Sequence, residues 1–433
     1  MRGYRCEHNA RRVPESQASA AMTMADHVAG QSEPALILVQ ASSRSWAGGE
    51  DFCLREFDGA PAVGHTLAAA RDRFPATPIC VIAPAFDRGG RLQAIVDRFG
   101  GDVQVLYGFD ASPLDRMLLA TERLADSDLV LRVDGLHFSA DFDLAATMLS
   151  HAADQQLDAV KTPDDFPPQL SVDVLRVGAL RRARALIDGD EDPFLVHPKF
   201  LLTSHPSFRA ERTEALPVYS AERLATMRGR AKEMLSGVER LEVGGAGRIW
   251  SGDQLSYHYE LAMRHLRPED RVLDVACGDG FGVRMVAERC ASAVGVDLDE
   301  ASIDLARLRA PDGEYLVADA TQMPFEDAVF DAVVSMETLE HVPPHPFLQE
   351  VSRVLAPGGL LMLSTPQSRL GDVPFTPAHE HEFSLHELTQ LVAAHFEIVE
   401  RIGLKAGTIW FEGDPVGTNS FLVCRRHAGA SSD

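Results

Sequence analysis

Short apolar runs recur along this chain, separated by segments whose apolar residues fall at helical spacing. Between Pro34 and Tyr219 the runs include Ala35–Gln40, Ile79–Ala83, Val103–Tyr107 and Leu129–Val133, with helical patterns over Val63–Arg73 and Ser112–Ala125. Strands and helices in alternation predict an α/β domain with a mostly parallel sheet. A polar segment follows, Ala221 to Leu241, whose Leu224, Met227, Ala231, Met234, Leu235 and Val238 form one helical stripe. Gly244-Gly245-Ala246-Gly247 then reads as a flexible joint. From about Ile249 the α/β alternation resumes and continues to Arg426. The expected organisation is a disordered tail over 1–33, an α/β domain over 34–220, a helical linker with a glycine-rich joint over 221–248, a second α/β domain over 249–426 and a short tail over 427–433.

Composition narrows the function classes. A chain of 433 residues holds two or three domains with ample core. The formal net charge of -23 argues against broad nucleic-acid or anionic-membrane binding, since both need clustered Lys and Arg. No Cys-x-x-Cys pair occurs among the six cysteines, which disfavours a zinc site or disulfide framework and fits a reducing cytosol. No apolar run approaches a membrane span. The stretch to about Glu33 lacks the apolar segment of a signal peptide and reads as disordered, or as an extension upstream of a start at Met22 or Met24. A cytoplasmic protein with a small-molecule ligand is expected, without nucleic-acid or membrane partners; oligomeric state is not legible.

The densest chemistry lies at Arg271–Gly282, RVLDVACGDGFG. Val272, Leu273 and Val275 form a short strand that runs into a loop with Gly278, Gly280 and Gly282. Val283, Val286, Ala287 and Cys290 then mark one helix face. Strand, glycine turn and helix let a ligand approach bare backbone. A glycine loop alone would serve many cofactors. The next strand, Ala293–Val296, ends in Asp297, placed to accept both hydroxyls of a ribose. The third, Glu314–Ala318, ends in Asp319, which can accept from an adenine amino group. The fourth, Asp331–Met336, runs into Glu337. All four ends fall on one sheet edge, where open α/β sheets bind ligands.

VLDVACGDGFG, VGVDLD, VADATQMPF, FDAVVSMETLEHV and LAPGGLLMLSTP together resemble class I S-adenosylmethionine (SAM)-dependent methyltransferases, especially those acting on quinones and small molecules. The resemblance implies a Rossmann-like seven-stranded domain with SAM as cofactor. Residue by residue, it implies that Asp274 and the loop Ala276, Cys277, Gly278 and Gly280 face the methionine part of SAM. Asp297 takes the ribose, Leu298 packs on the adenine, Asp319 and Ala320 hold the adenine edge, and Glu337 borders the site. Ala276 stands where many members have Gly. Val283 stands where an NAD-binding loop would carry its third glycine.

Methyl transfer is an in-line displacement, so the protein mainly aligns donor and acceptor, with a base where the acceptor carries a proton. Candidate catalytic residues are His379, His341 and Glu337, with Glu340, His381 and Glu382 beside them. Pro377–Ser384 resembles the P-x-H-x-x-E-F-[ST] loop of methyltransferases of glycan and nucleotide-sugar pathways, which implies that His379 and Glu382 border the site. Ser384 with Glu387 makes a capping box. Tyr257-His258-Tyr259, on a helix before the first strand, either covers the cofactor or anchors packing. The spacing of His341, His345, His379 and His381 fits no zinc pattern, so no metal is expected.

The first domain resembles sugar-nucleotide cytidylyltransferases, through LILVQASSR at Leu36–Arg44, Asp58-Gly59-Ala60-Pro61, Ser112–Arg116, Val130–Asp143 and Leu170–Leu180. That implies a nucleotidyltransferase-like (GT-A-like) α/β domain, with Arg44, Asp115, Arg116, Asp134 and Asp173 as its candidate site. The basic nucleotide loop is reduced to Arg44 and runs into Glu50-Asp51, and Ser171 replaces a late Asp. Those departures point to a domain that binds a sugar or nucleotide, or only scaffolds, rather than an active nucleotidyltransferase. The expected whole is a methyltransferase acting on a small molecule such as a sugar, nucleotide-sugar or glycan precursor. The alternatives are a bifunctional protein and a non-catalytic SAM- or nucleotide-binding protein.

Overall fold

The computed structural model describes residues 5–6, 33–44, 51–190, 192–214, 216–234, 252–371, 373, 379 and 381–427. The expected joint at Gly244–Gly247 and most of both tails lie outside them.

The first domain is a seven-stranded sheet built from β1 (Leu36–Gln40), β2 (Ile79–Ala83), β3 (Val103–Tyr107), β4 (Leu129–Asp134), β5 (Ala159–Lys161), β6 (Asp173–Arg176) and β7 (Ala210–Arg212), in the order β7-β5-β6-β4-β1-β2-β3. β6 runs antiparallel to both neighbours. Alternation along β1 sends Ile37 and Val39 to one face and Leu36 and Leu38 to the other. Helices α1 (Ala62–Arg73) and α2 (Phe142–Asp154) cover the first face, as a two-sided sheet requires. The helix expected over Ser112–Ala125 spans only Pro113–Ala120, and the Thr121 hydroxyl closes it by donating to the Met117 carbonyl at 2.8 Å.

Two expectations are refined here. Helix α3 (Ala221–Met234), expected as a helical linker, is helical and also packs on the first domain. It buries Met227 in the first-domain core and sets Ala231 and Met234 against Phe57 and Phe138, because its apolar stripe needs a partner. Inside the expected disordered tail, Arg5–Cys6 pair in parallel with Trp410–Phe411.

The second domain carries β8 (Arg271–Val275), β9 (Ser292–Asp297), β10 (Glu314–Val317), β11 (Phe330–Met336), β12 (Leu355–Pro366), β13 (Phe396–Leu404) and β14 (Asn419–Arg426). Their order is β10-β9-β8-β11-β12-β14-β13, parallel except for β14, which is antiparallel to both β12 and β13. This is an α/β Rossmann-like fold with a mixed sheet. The chain first builds outward from β8 through β9 and β10, then returns to place β11 on its other side. That reversal opens a crevice beyond the carboxyl ends of β8 and β11.

The domains are joined by charged and apolar contacts. The Arg369 guanidinium donates to the Asp165 carboxylate (Nε 2.8 Å, Nη2 2.6 Å), and the Arg369 amide donates to the Asp165 carbonyl at 2.9 Å. Val373 is fully buried within the first-domain core and Leu370 packs against it. Nearby, the wholly buried Lys405 pairs with Asp414 at 3.2 Å, and Arg212 bridges Asp414 and Asp164, both at 3.0 Å. Among the described residues no helix is long and apolar enough to cross a membrane.

Candidate active site

The loop after β8 is shaped by left-handed backbone at three positions: Ala276 (φ 59°), Gly278 (54°) and Gly280 (76°). An alanine there costs roughly 1–2 kcal/mol, a strain that persists only where surroundings enforce it. Asp297 does the enforcing from the end of β9. Its Oδ2 accepts from the Gly278 amide and its Oδ1 from the Asp299 amide, both at 2.9 Å. Each oxygen keeps a further lone pair for a ligand hydroxyl. Leu298 is 69% exposed, which leaves an apolar side chain open to a planar group. Asp319 lies at the next strand end, where the Thr321 amide and hydroxyl hold its carboxyl below the usual range. Ala320 is half-buried beside it.

Asp274 differs from its expected role of facing a ligand. It is 1% exposed, and both its oxygens lie within reach of the Tyr259 hydroxyl, at 3.2 and 3.1 Å. Burial pushes it up to about 8. It braces the loop from beneath, through the helix α4 (Gly252–Met263) that brings Tyr259 over the sheet. The fit is close: a Cβ on Gly282 would meet the Tyr259 ring at 2.1 Å.

Across the crevice, β11 ends at Met336 and Glu337 turns with φ 56°, a second strained non-glycine residue at the same sheet edge. Its carboxylate accepts from Ser364 Oγ at 2.7 Å and Asn419 Nδ2 at 2.9 Å. His258 Nδ1 lies 3.0 Å from Ser364 Oγ, and burial pushes that imidazole down to about 4. Glu340 lies one turn on, with Oε2 accepting from Thr365 Oγ1 at 2.8 Å and Oε1 without a hydrogen-bond partner. Burial raises both carboxyls; repulsion from Glu337 adds to the rise at Glu340, and repulsion from Glu382 to that at Glu337.

Folding brings His379 to this cluster. Its Nδ1 is 2.8 Å from Glu382 Oε1 and its Nε2 is 4.0 Å from Glu340 Oε1. The exposed His341 meets the His379 ring edge-on at 4.8 Å between centroids. The other two histidines singled out by sequence stay away. His345 faces His395 at 3.1 Å, and His381 lies beside Glu387 at 3.7 Å. Sequence reasoning missed Ser364, Thr365 and Asn419. The available signal was a set of polar residues at the ends of the apolar runs LLML and FLV, where burial demands partners.

In the first domain, a cavity of about 640 Å³ opens beyond the carboxyl ends of β1 and β4, where strand order again reverses. Gln40, Arg44, Phe86, Arg116, Asp134 and Gln169 line it. Of the five residues flagged there, Asp115 and Asp173 do not line it. Asp115 pairs with Arg184 at 2.8 Å, and Asp173 with Arg132 at 3.3 Å and Lys199 at 3.4 Å, since buried carboxylates must find cations.

Residues 273–363 match a family described as a methyltransferase domain. A probable S-adenosylmethionine-dependent methyltransferase of Mycolicibacterium smegmatis is 34% identical over 142 residues, covering 31% of this chain and 55% of that protein. A ubiquinone biosynthesis O-methyltransferase of Idiomarina loihiensis is 41% identical over 101 residues, 22% of this chain and 42% of that protein. Among solved structures, geranyl diphosphate C-methyltransferase from Streptomyces coelicolor, in complex with S-adenosyl-L-homocysteine, is 22% identical, with a TM-score of 0.34 over 40% of this chain and 76% of that one. The chain spans about half the length of the curated relatives it matches first.

Proposed function

We propose that this protein is a SAM-dependent methyltransferase acting on a small molecule. The observation that carries the reading is the Asp297-braced glycine loop facing Glu337 across the crevice between β8 and β11, in a segment that matches the methyltransferase-domain family. SAM would lie along that crevice. Asp297 would accept from the ribose hydroxyls, Leu298 would cover the adenine, and Asp319 with Ala320 would hold its edge. Ala276, Cys277, Gly278 and Gly280 would lie along the methionine chain, with Asp274 and Tyr259 supporting them from below. Glu337, fixed by Ser364 and Asn419, would present negative charge toward the sulfonium side.

Transfer breaks the C–S bond and leaves the electron pair on sulfur, giving a neutral thioether. The acceptor atom forms the new bond to carbon and loses its proton. His341, His379 and Glu340 orient the acceptor and favour that loss. In-line alignment and exclusion of water supply most of the rate. A sugar, nucleotide-sugar or glycan precursor is the acceptor class we favour, supported by the first-domain cavity, where Arg44, Arg116 and Asp134 stand among apolar groups, and by the His379 segment. That cavity also supports a second reading, in which the first domain holds a sugar or nucleotide of its own.

Incubation of the full chain with SAM and a panel of sugar nucleotides and quinols, read by mass spectrometry, tests the reading. A +14 Da product on a sugar nucleotide is expected. A product confined to quinols would overturn the acceptor class, and no product from either would remove the support for the acceptor assignment. Calorimetry with CTP and Mg²⁺ addresses the second reading, and absence of heat would remove the nucleotide from it.

A further inference from the structure

We propose that Glu340, His341 and His379 form a binding site for one divalent transition-metal cation of the zinc or manganese kind. This goes beyond the methyl-transfer reading and stands independently of SAM binding. Linear spacing argues against a metal, but folding gathers what spacing separates. One ligand atom from each of the three residues lies within 4.8 Å of the others. Two imidazoles and a carboxylate are a donor set that zinc and manganese both accept, with positions left open.

Three further observations point to a cation. First, Glu340 Oε1 is buried without a hydrogen-bond partner and lies 4.0 Å from His379 Nε2, so an unsatisfied carboxyl oxygen faces the ring nitrogen that a metal would use. Such an atom is costly unless a positive partner arrives. Second, both ligands on the buried side are already oriented from behind. Glu382 takes His379 Nδ1 at 2.8 Å and Thr365 takes the other Glu340 oxygen at 2.8 Å. A carboxylate behind a ligating imidazole fixes its tautomer and strengthens it as a donor. Third, Glu337 and Glu382 add two more buried or nearly buried carboxyls to the same cluster.

The fit needs modest closure. Bonds of about 2.1 Å in tetrahedral array separate ligand atoms by roughly 3.4 Å, so the 4.0 Å between His379 and Glu340 must close by about 0.6 Å and no pair by more than about 1.4 Å. His341 is the exposed member, which leaves the cation open to solvent and to an incoming ligand.

The test uses the full chain, stripped with chelator and titrated calorimetrically with Zn²⁺ and, separately, Mn²⁺. Carrying His395→Ala in every sample removes the exposed His345–His395 pair as a competing zinc site. One equivalent should bind. Glu340→Gln and His379→Ala should each weaken binding more than tenfold, and Glu382→Gln about tenfold, the usual effect of an outer-shell partner. Thermal midpoints and SAM binding of each variant show that it folds. No binding by the His395→Ala protein, or binding that survives adding both Glu340→Gln and His379→Ala to it, overturns the proposal. Neither result bears on whether SAM binds.

Discussion

Arg369→Met tests the contact by which the first domain holds Ser368–Gly371. In the native protein two guanidinium nitrogens reach Asp165 Oδ1, whose side chain is 8% exposed against 36% for Arg369. An ion pair in water is worth about 0–1 kcal/mol, whereas removing one partner of a buried pair costs about 3–5 kcal/mol. With one partner buried and the other partly in solvent, about 2 kcal/mol is expected. Methionine keeps the aliphatic packing, so the loss is electrostatic. If that energy holds the segment down, local opening becomes roughly 30-fold more frequent. The reporters are the amides of Ser368, Arg369 and Glu382, which donate to Phe383, Asp165 and Gly371 respectively. Hydrogen exchange should accelerate by that factor at these amides and stay unchanged at Leu361, Met362 and Leu363 in the core of β12. Acceleration below threefold, or equal acceleration in β12, would refute the clamp.

Other expectations can be checked together. Asp297→Ala removes two charge-assisted acceptors and the brace on Gly278, so SAM affinity should fall by about 3 kcal/mol, roughly a hundredfold; unchanged Kd by calorimetry contradicts the ribose assignment. Gly282→Ala should displace Tyr259 and lower the thermal midpoint, and a midpoint equal to the parent's would show that the ring yields freely. His258 is buried and holds its imidazole at about 4, against about 6.5 unfolded. Between those values the unfolded chain binds a proton that the native state refuses, so His258 costs stability as pH falls from about 6.5 to about 4. His258→Gln removes that proton, so the parent's advantage over the variant in urea melts should shrink by up to about 1.4 kcal/mol per pH unit across the window. A pH-independent difference would contradict the buried neutral histidine.

The parts of the site that sequence made legible are those written locally. The strand, glycine loop and helix over 271–287, and the carboxylates at the ends of β9, β10 and β11, each follow from period and turn chemistry within one short window. What stayed hidden depends on partners far along the chain. The Asp165–Arg369 pair spans two domains, and nothing near either residue announces it. Glu337 reads as a catalytic carboxyl in sequence, but Ser364 and Asn419, from β12 and β14, occupy both its oxygens. Asp274 reads as a ligand-facing acid until helix α4 lays Tyr259 over it. The stripe of α3 was visible, but not which surface it would cover. Ala276 gave the converse case: an unremarkable residue by propensity, held at positive φ by the loop that Asp297 braces.

The central claim is that the crevice between β8 and β11 holds SAM and not a dinucleotide. Calorimetric titration of the full chain with S-adenosylhomocysteine, and separately with NAD⁺, tests it directly. One equivalent of S-adenosylhomocysteine should bind, with no heat from NAD⁺. Silence with S-adenosylhomocysteine and SAM alike, or saturable binding of NAD⁺ alone, would contradict it.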